Sequence, residues 1–469
     1  MEVNFGIQSY KHAGSGQLSS QRVINGYAET QPQDAKSRIA LFGAPGVPLF
    51  ATVGTGPYRG GVVVAGVPYV VSGQELYSLG SDGSVQLRGN GIAGVGRVGI
   101  DASLTEIVIT NGVNGFSYLI ATEDFAQISD GEFVAANTVT CINNTFVLDE
   151  VDTNYFQLSD ILDGRNYLGD EAQAESNPDK VLAVKGRNST LFVFGEKSIE
   201  PWDHTGATDF PFSRFKGATL DRGLRAVHAL VNEDQSSFFL GNDLVAYRLS
   251  GGGLQRISTH GLESEWRTYT TTSDAFMFAV PYGGHKFISL TFPTMNRTFA
   301  FDIASGLWHD RASYDPSGLV LKWRVGGALE AYDKVLVGDL NSGRVGYLDP
   351  NTFTEFGDQM LLSVVSAPLF AKGKKIFVPK FEVDIEAGVG LTTGQGSDPM
   401  MMMSYSTDGG STWTAPEEAK AMGKIGEKTT RLQWDRLGSA YQWTFKLSVS
   451  DPVKRVITGA RCPGAYTGD

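Results

Sequence analysis

The segment Ser406-Thr407-Asp408-Gly409-Gly410-Ser411-Thr412-Trp413 gathers the groups best placed to do chemistry, in the pattern S-x-D-x-G-x-T-W of an Asp-box. Its chemistry is local. The Asp408 carboxylate can cap backbone N–H groups of its own turn, Gly410 can take positive φ, and Trp413 can pack beneath, with Ser406 and Thr412 contributing hydroxyls. The box occurs once, with no recognisable acid pair or arginine cluster beside it, so it reads as a hairpin staple. Gly89-Asn90-Gly91-Ile92-Ala93-Gly94 formally fits the dinucleotide fingerprint G-x-G-x-x-G. That fingerprint needs a helix immediately afterwards to aim amide N–H groups at a pyrophosphate, whereas Val95 to Ile100 reads as a strand. The six histidines, at 12, 204, 228, 260, 285 and 309, never fall at metal-ligand spacing. The sequence therefore nominates no catalytic, cofactor-binding or metal-binding residue.

Other charged and polarisable groups have plain structural readings. Nine acidic residues lie between Asp149 and Asp179 against Arg165 alone, and Lys372, Lys374, Lys375 and Lys380 form a small basic cluster. Each reads as a solvated face, or as a surface toward a channel, a partner or a neighbouring subunit. Met400 to Met403 would place methionines on both faces of a strand, suited to a core or a subunit contact. Cys141 and Cys462 stand far apart outside any paired motif and read as reduced packing residues.

The elements that must carry these groups are short strands. Of 469 residues 57 are glycine and 11% are aromatic, yet only 19% are charged, a composition for many strands and tight turns. The formal charge of −12 argues against a chain that grips phosphates, although it suits a wall past which DNA slides. The opening MEVNFGIQSYKHAG has no basic or apolar leader pattern, and no run approaches the length of a membrane span, so secretion and insertion are not expected.

From about residue 60 four-strand units recur at intervals of roughly 35 to 50 residues, the size of a propeller blade. Units begin near Gly61, Glu106, Thr138, Lys180, Ala226, Ala275 and Leu319. The third is irregular and can be read as an insertion. The expected fold is all-β, a β-propeller of about six blades, with five or seven also compatible, over 51–357. Residues 1–50 are expected to form a polar arm and lead-in that packs onto something else. Residues 358–469 are expected to form an antiparallel β-sandwich-like or jelly-roll-like module, with a helix near Pro416 to Met422. In Phe299 to Trp308, Gly306 is placed for a positive-φ turn and Trp308 to fill the wedge between blades. Glycines 388, 390, 394 and 396 sit in a loop, 386–400, that should be mobile: Gly388, Gly390, Gly394 and Gly396 are the candidate gate residues.

Several segments together resemble the packaged-DNA stabilisation protein, the tail hub or nozzle, of short-tailed bacteriophages. Arg22 to Glu29, including Asn25 and Tyr27, and Phe42 to Val47, including Pro45 and Gly46, look like that family's opening. Ala174 to Asp179 with Pro178, then Gly195 to Trp202 with Glu200 and Trp202, then Thr205 to Thr208, are similar to its central blades. Trp434-Asp435-Arg436-Leu437-Gly438 and Phe445 to Leu447 match near the end, while many loops, 386–400 among them, depart. Read as a strand, Trp434 and Arg436 share one face opposite Asp435, able to meet a partner or cover a core edge. The resemblance implies a virion tail protein assembled in the host cytoplasm. It implies a homohexameric ring below the portal and its head-to-tail adaptor, holding tail fibres or spikes and a needle or plug, with packaged double-stranded DNA passing through without tight binding. It implies no catalysis. The competing readings are a sialidase-like glycan-processing propeller, which would need Asp-boxes in successive blades or converging carboxylates, and a glycan-binding module without chemistry.

Overall fold

The computed structural model describes residues 1–6, 19–32, 34, 39–169, 172–174, 179–207, 210–315 and 317–468. Among these the chain is almost wholly β, and no helix is long and apolar enough to cross a membrane.

Blade one shows how the sequence makes the repeat. Tyr58–Val64, Val67–Ser72, Glu75–Leu79 and Val85–Asn90 form an antiparallel meander. Its first hairpin turns through Ala65 and Gly66, both at positive φ, the two-residue geometry whose twist matches that of the strands it joins. The same device opens four other blades, at Asn143-Asn144, Asp234-Gln235, Gly283-Gly284 and Tyr332-Asp333. Among the described residues seven such four-stranded units follow one another, one more than the six expected and within the compatible range. The third unit is a blade and not an insertion: Val139–Ile142, Thr145–Asp149, Tyr155–Asp160 and Asp163–Tyr167 pair in order.

Blade six comprises Phe276–Tyr282, His285–Phe292, Arg297–Asp302 and Trp308–Tyr314. Gly306 has φ +70, and Trp308 fills a wedge as expected, buried against Trp266 with ring centroids 5.8 Å apart and its Nε1 donating to Ile257 O. Trp266 ends a short helix, His260–Trp266, capped by Thr259. The helix expected near Pro416 to Met422 is absent. There Glu417 N donates to Met403 O and Met422 N to Pro399 O, and Lys420–Ala421 pairs with Met400–Ser406 in extended conformation.

Within 1–50 the polar stretch 7–18 lies outside the described residues, and the described strands pair with both modules. Leu49–Thr52 pairs with Arg344–Tyr347 and supplies the fourth strand of blade seven, otherwise built from Val325–Ala331, Lys334–Asp339 and Arg344–Tyr347. The N-terminal strand thereby closes the ring. Gly26–Thr30 and Ile39–Gly43 instead extend a sheet of the C-terminal module through Val456–Arg461, Lys375–Ile385 and Leu432–Ala440. The second sheet of that module runs through Leu362–Val365, Gln442–Val449 and Met400–Ser406. Their shared core contains Phe381 stacked on Phe445 at 4.1 Å, together with Trp434, Trp443, Met401 and Met403. Met401 and Met403 face this core while Met400 is exposed, so the methionine run does alternate between faces.

Candidate functional site at the junction of the two modules

Four residues singled out in the sequence, Asn25, Tyr27, Pro45 and Gly46, converge where the propeller meets the C-terminal module. The strand Arg22–Ile24 lies between Trp308–Tyr314 of blade six, to which it is parallel, and Leu362–Val365, to which it is antiparallel. One sheet therefore runs from blade six into the sandwich. Arg22 Nε donates to Asp310 Oδ2 at 2.5 Å, which also pairs with Arg297 at 3.3 Å.

Asn25 follows at φ 55 and is fully buried. Asparagine tolerates this left-handed conformation better than most residues. Its Nδ2 donates to Ala312 O and Leu361 O, its Oδ1 accepts from Ala312 N, and its backbone links Asp310 O to Ala44 N. Tyr27 packs among Phe42, Tyr282, His285 and Phe287. Burial, then Tyr282, pushes its phenol pKa up, so the hydroxyl stays neutral.

Pro45 is buried, and Gly46 lies against the backbone of 352–354, with its N donating to Thr352 O at 2.8 Å. A Cβ on Gly46 would sit 2.4 Å from that same carbonyl oxygen, so glycine is required by close approach. Two buried arginines complete the junction. Arg455 donates to Met360 O at 2.8 Å and Ala44 O at 3.4 Å, and burial, then Arg311, lowers its pKa to about 10. Arg311 lies over Trp323 at 4.2 Å, while Glu355 accepts from Trp323 Nε1 and from Ser313 Oγ. Burial raises the Glu355 pKa, opposed by its hydrogen bonds and by Arg311. These contacts couple modules; they do not offer an open, substrate-sized cleft.

The other nominated residues are dispersed. Glu200 is buried in blade four, formed by Val181–Arg187, Thr190–Gly195, Ile199–His204 and Phe212–Arg214, and lies 3.8 Å from Arg214; Trp202 meets Phe156 of blade three edge-on at 5.2 Å. Pro178 lies outside the described residues. Trp434 is buried, with Nε1 donating to Glu418 O. Arg436 does not share its face, because φ 62 at Arg436 and a register shift opposite Val378 to Lys380 break the alternation and leave Arg436 exposed. Gly438, φ +101, pairs with Val378 at the same irregularity.

Asp408 accepts from Ser411 N, Thr412 N, Thr412 Oγ1 and Ser406 Oγ, which hold its carboxyl well below the usual range. Gly410 has φ +88, and Trp413 stacks under the Lys446 ammonium at 4.9 Å. The box is thus a local staple on the sandwich. Loop 386–400 is tied to its neighbour: Gly388 N donates to Met422 O, Gly426 N to Gly388 O, Leu391 N to Gly396 O and Ser397 N to Gly394 O. Gly390 approaches the backbone at Lys424 and Ile425.

The G-x-G-x-x-G segment faces inward with carbonyls and not with N–H groups. The buried Arg59 guanidinium donates to Gly73 O, Ile92 O, Ala93 O and Gly96 O, so the loop wraps a cation and cannot cradle a phosphate. The acidic run is not a single face either. Asp149 and Asp179 are buried and accept from Thr138 and Ser198, 11 and 19 residues away in sequence, while Asp152 pairs with Lys180. Both cysteines are free thiols, and no metal-holding cluster occurs among the described residues.

At the propeller axis the inner strands of all seven blades line a cavity of about 190 Å³, with Tyr58, Arg97, Lys185 and His228 among its walls. Sequence reasoning missed this feature. The inner strands read like the other strands, and nothing local in Arg97 or His228 announces that they meet.

Residues 5–353 match the family described as bacteriophage P22 Gp10, beta-propeller, and residues 363–464 match bacteriophage P22 Gp10, beta-sandwich. No curated protein matches the chain. Among solved structures, the computationally designed Ika8 protein is 12% identical with a TM-score of 0.39, covering 64% of this chain and 99% of its own. The extracellular domain of the hybrid two component system BT4673 from B. thetaiotaomicron is 9% identical with a TM-score of 0.46, covering 76% of this chain and 45% of its own. The N-terminal domain of Nup159 is 10% identical with a TM-score of 0.38, covering 70% and 99%. With both of its modules matched in order, the chain belongs to the bacteriophage P22 Gp10 family, and it is a structural component of the phage tail with a role in stabilising DNA.

Proposed function

We propose that this protein forms a sixfold ring around the DNA exit channel of a short-tailed phage, below the portal and its adaptor. In that position it retains packaged DNA and docks tail fibres or spikes, and a needle or plug closes the path. The observation that carries the reading is the axial cavity. At about 190 Å³ it falls below the ~300–1,000 Å³ of ordinary small-ligand pockets, and a duplex cannot enter it. A DNA path must therefore run between copies of the chain and not through its propeller. The formal charge of −12 supports a wall past which phosphates slide, since many lysine contacts would release counterions and hold the duplex. The sheet that continues from blade six into the sandwich suits a subunit that bears load between neighbours.

The same reading assigns no catalysis. The Asp408 oxygens are engaged by their own turn, which supports a staple over a glycosidase acid. Assembly in the host cytoplasm accords with two free thiols.

Reconstruction of intact tails tests the ring, with six copies, or a multiple of six, expected around the axis; any other symmetry overturns it. Particles lacking the protein should package DNA and then lose it. Stable, DNA-filled particles without it would refute the retention role.

A further inference from the structure

We propose that the axial cavity of the propeller binds one small tetrahedral oxyanion of the phosphate class, held by Arg97, with His228 and Lys185 beside it. Buried guanidinium groups elsewhere in the chain have carbonyl oxygens or carboxylates as partners or close by. Arg59 donates to four carbonyl oxygens. Arg324 is paired with Asp339 at 2.8 Å and Asp358 at 2.7 Å. Arg455 donates to two carbonyls. Arg97 is different. Among the described residues its hydrogen bonding is confined to Gly326 O, at 2.7 Å, and its other neighbour is the face of Phe276 at 4.2 Å.

A guanidinium carries several N–H donors, and withdrawing it from water without a counter-charge is costly. The cavity wall supplies none. Its lining residues include Arg97, Lys185 and His228 but no aspartate or glutamate. Burial, opposed only by Tyr58, lowers the Arg97 pKa to about 10, and the Arg97 charge adds to burial in holding His228 neutral. The site therefore has a deficit of negative charge that an anion would fill. The inner strand of every blade is the end strand of its sheet, so backbone from all seven blades surrounds the axis. A cavity of about 190 Å³ accommodates a tetrahedral oxyanion with a few waters, and excludes nucleic acid. An anion there touches strands from several blades and would lock the ring's centre.

Calorimetric titration of inorganic phosphate, and separately of sulfate, into the full chain tests this, with sodium chloride at matched ionic strength as the control. Saturable binding at one ion per chain is expected, with a melting temperature several degrees higher than in chloride. Arg97→Met should weaken binding at least tenfold, Arg97→Lys by less, and His228→Ala by a few-fold. Absence of saturable binding to the wild-type chain overturns the proposal. So does an Arg97→Met or Arg97→Lys variant that binds as tightly as wild type. Should Arg97→Met fail to fold, the wild-type stoichiometry and the Arg97→Lys affinity decide by themselves.

Discussion

Asn25 and Ala312 exchange two hydrogen bonds, Asn25 Nδ2 donating to Ala312 O at 2.8 Å and Ala312 N donating to Asn25 Oδ1 at 3.0 Å. The side-chain amide thus stands in for a peptide group, continuing the strand pairing beside blade six where the chain itself has turned to φ 55. Asn25→Ala would orphan buried groups of Ala312 and Leu361 and place alanine in the left-handed region. A loss of roughly 2 to 4 kcal/mol is expected in chemical denaturation. Asn25→Asp keeps the shape but cannot donate to Ala312 O or Leu361 O, so it should fall in the same range. Asn25→Asp at wild-type stability would show that these donors contribute nothing.

Gly46→Ala is expected to destabilise by roughly 1 to 3 kcal/mol, since the obstructing atom is a backbone carbonyl that cannot swing aside. Gly131 is the control. A Cβ there meets nothing within 4 Å, and Gly131→Ala should be neutral or stabilising by about 0.4 to 1 kcal/mol. Comparing the two urea midpoints separates steric obstruction from the general cost of replacing glycine.

His309 predicts how stability responds to acid. It is buried against Phe287, and burial, then Arg311 and His285, lowers its pKa from 6.5 to about 3. In the unfolded chain it binds a proton near pH 6.5; in the folded chain it does not until about pH 3. Its contribution is therefore complete above pH 6.5 and is lost progressively as pH falls toward the folded value. At pH 5 the loss is roughly 2 kcal/mol relative to pH 7. His309→Gln removes this term, and its unfolding free energy should fall less steeply between pH 7 and 5. Parallel wild-type and variant curves would contradict the assignment.

The fold was legible where turn chemistry was overt, as in Gly283-Gly284, and where alternation was regular, as in Gln442–Val449. Blade boundaries were harder because Asp234-Gln235 and Tyr332-Asp333 make the same two-residue turn without glycine, under the constraint of the strands they join. Ring closure by Leu49–Thr52 is a pairing across nearly 300 residues, which no local pattern encodes. The short helix had a signal that was overlooked: Thr259 at its cap, and Leu262 and Trp266 one turn apart on its buried face. Asn25, Tyr27, Pro45 and Gly46 were visible as types, but their convergence at one junction was not. The Arg436 bulge shows why alternation alone cannot pair two residues on a face.

Asp408→Ala should lower the melting temperature of the chain and speed amide exchange at Ser411 and Thr412, because both N–H groups lose their acceptor. No glycan-cleaving activity is expected in either protein. A wild-type chain that cleaves glycans, and a variant that loses cleavage at unchanged melting temperature, would make the box catalytic.

The loop 386–400 is our candidate for a gate or plug contact in the assembled ring. It is fastened to 422–427 through Gly388, Met422 and Gly426, and Lys424 approaches Asp398 at 3.8 Å. A gate built here would move the two loops as one unit, and bonds at one loop should transmit strain to the other. Gly388, Gly394 and Gly396 have φ +78, +75 and +90, so alanine at these positions would distort the loop while leaving the flanking strands Lys375–Ile385 and Met400–Ser406 paired. Replacing 388–396 by a short linker should therefore yield full tails that leak DNA or eject it prematurely, measured as genome retention after mild heating. Wild-type retention in such particles removes the gate assignment and leaves the ring untouched. Failure of tails to assemble would instead place the loop in a subunit or partner contact, and the triple alanine variant separates these outcomes because it changes the loop's shape without shortening it.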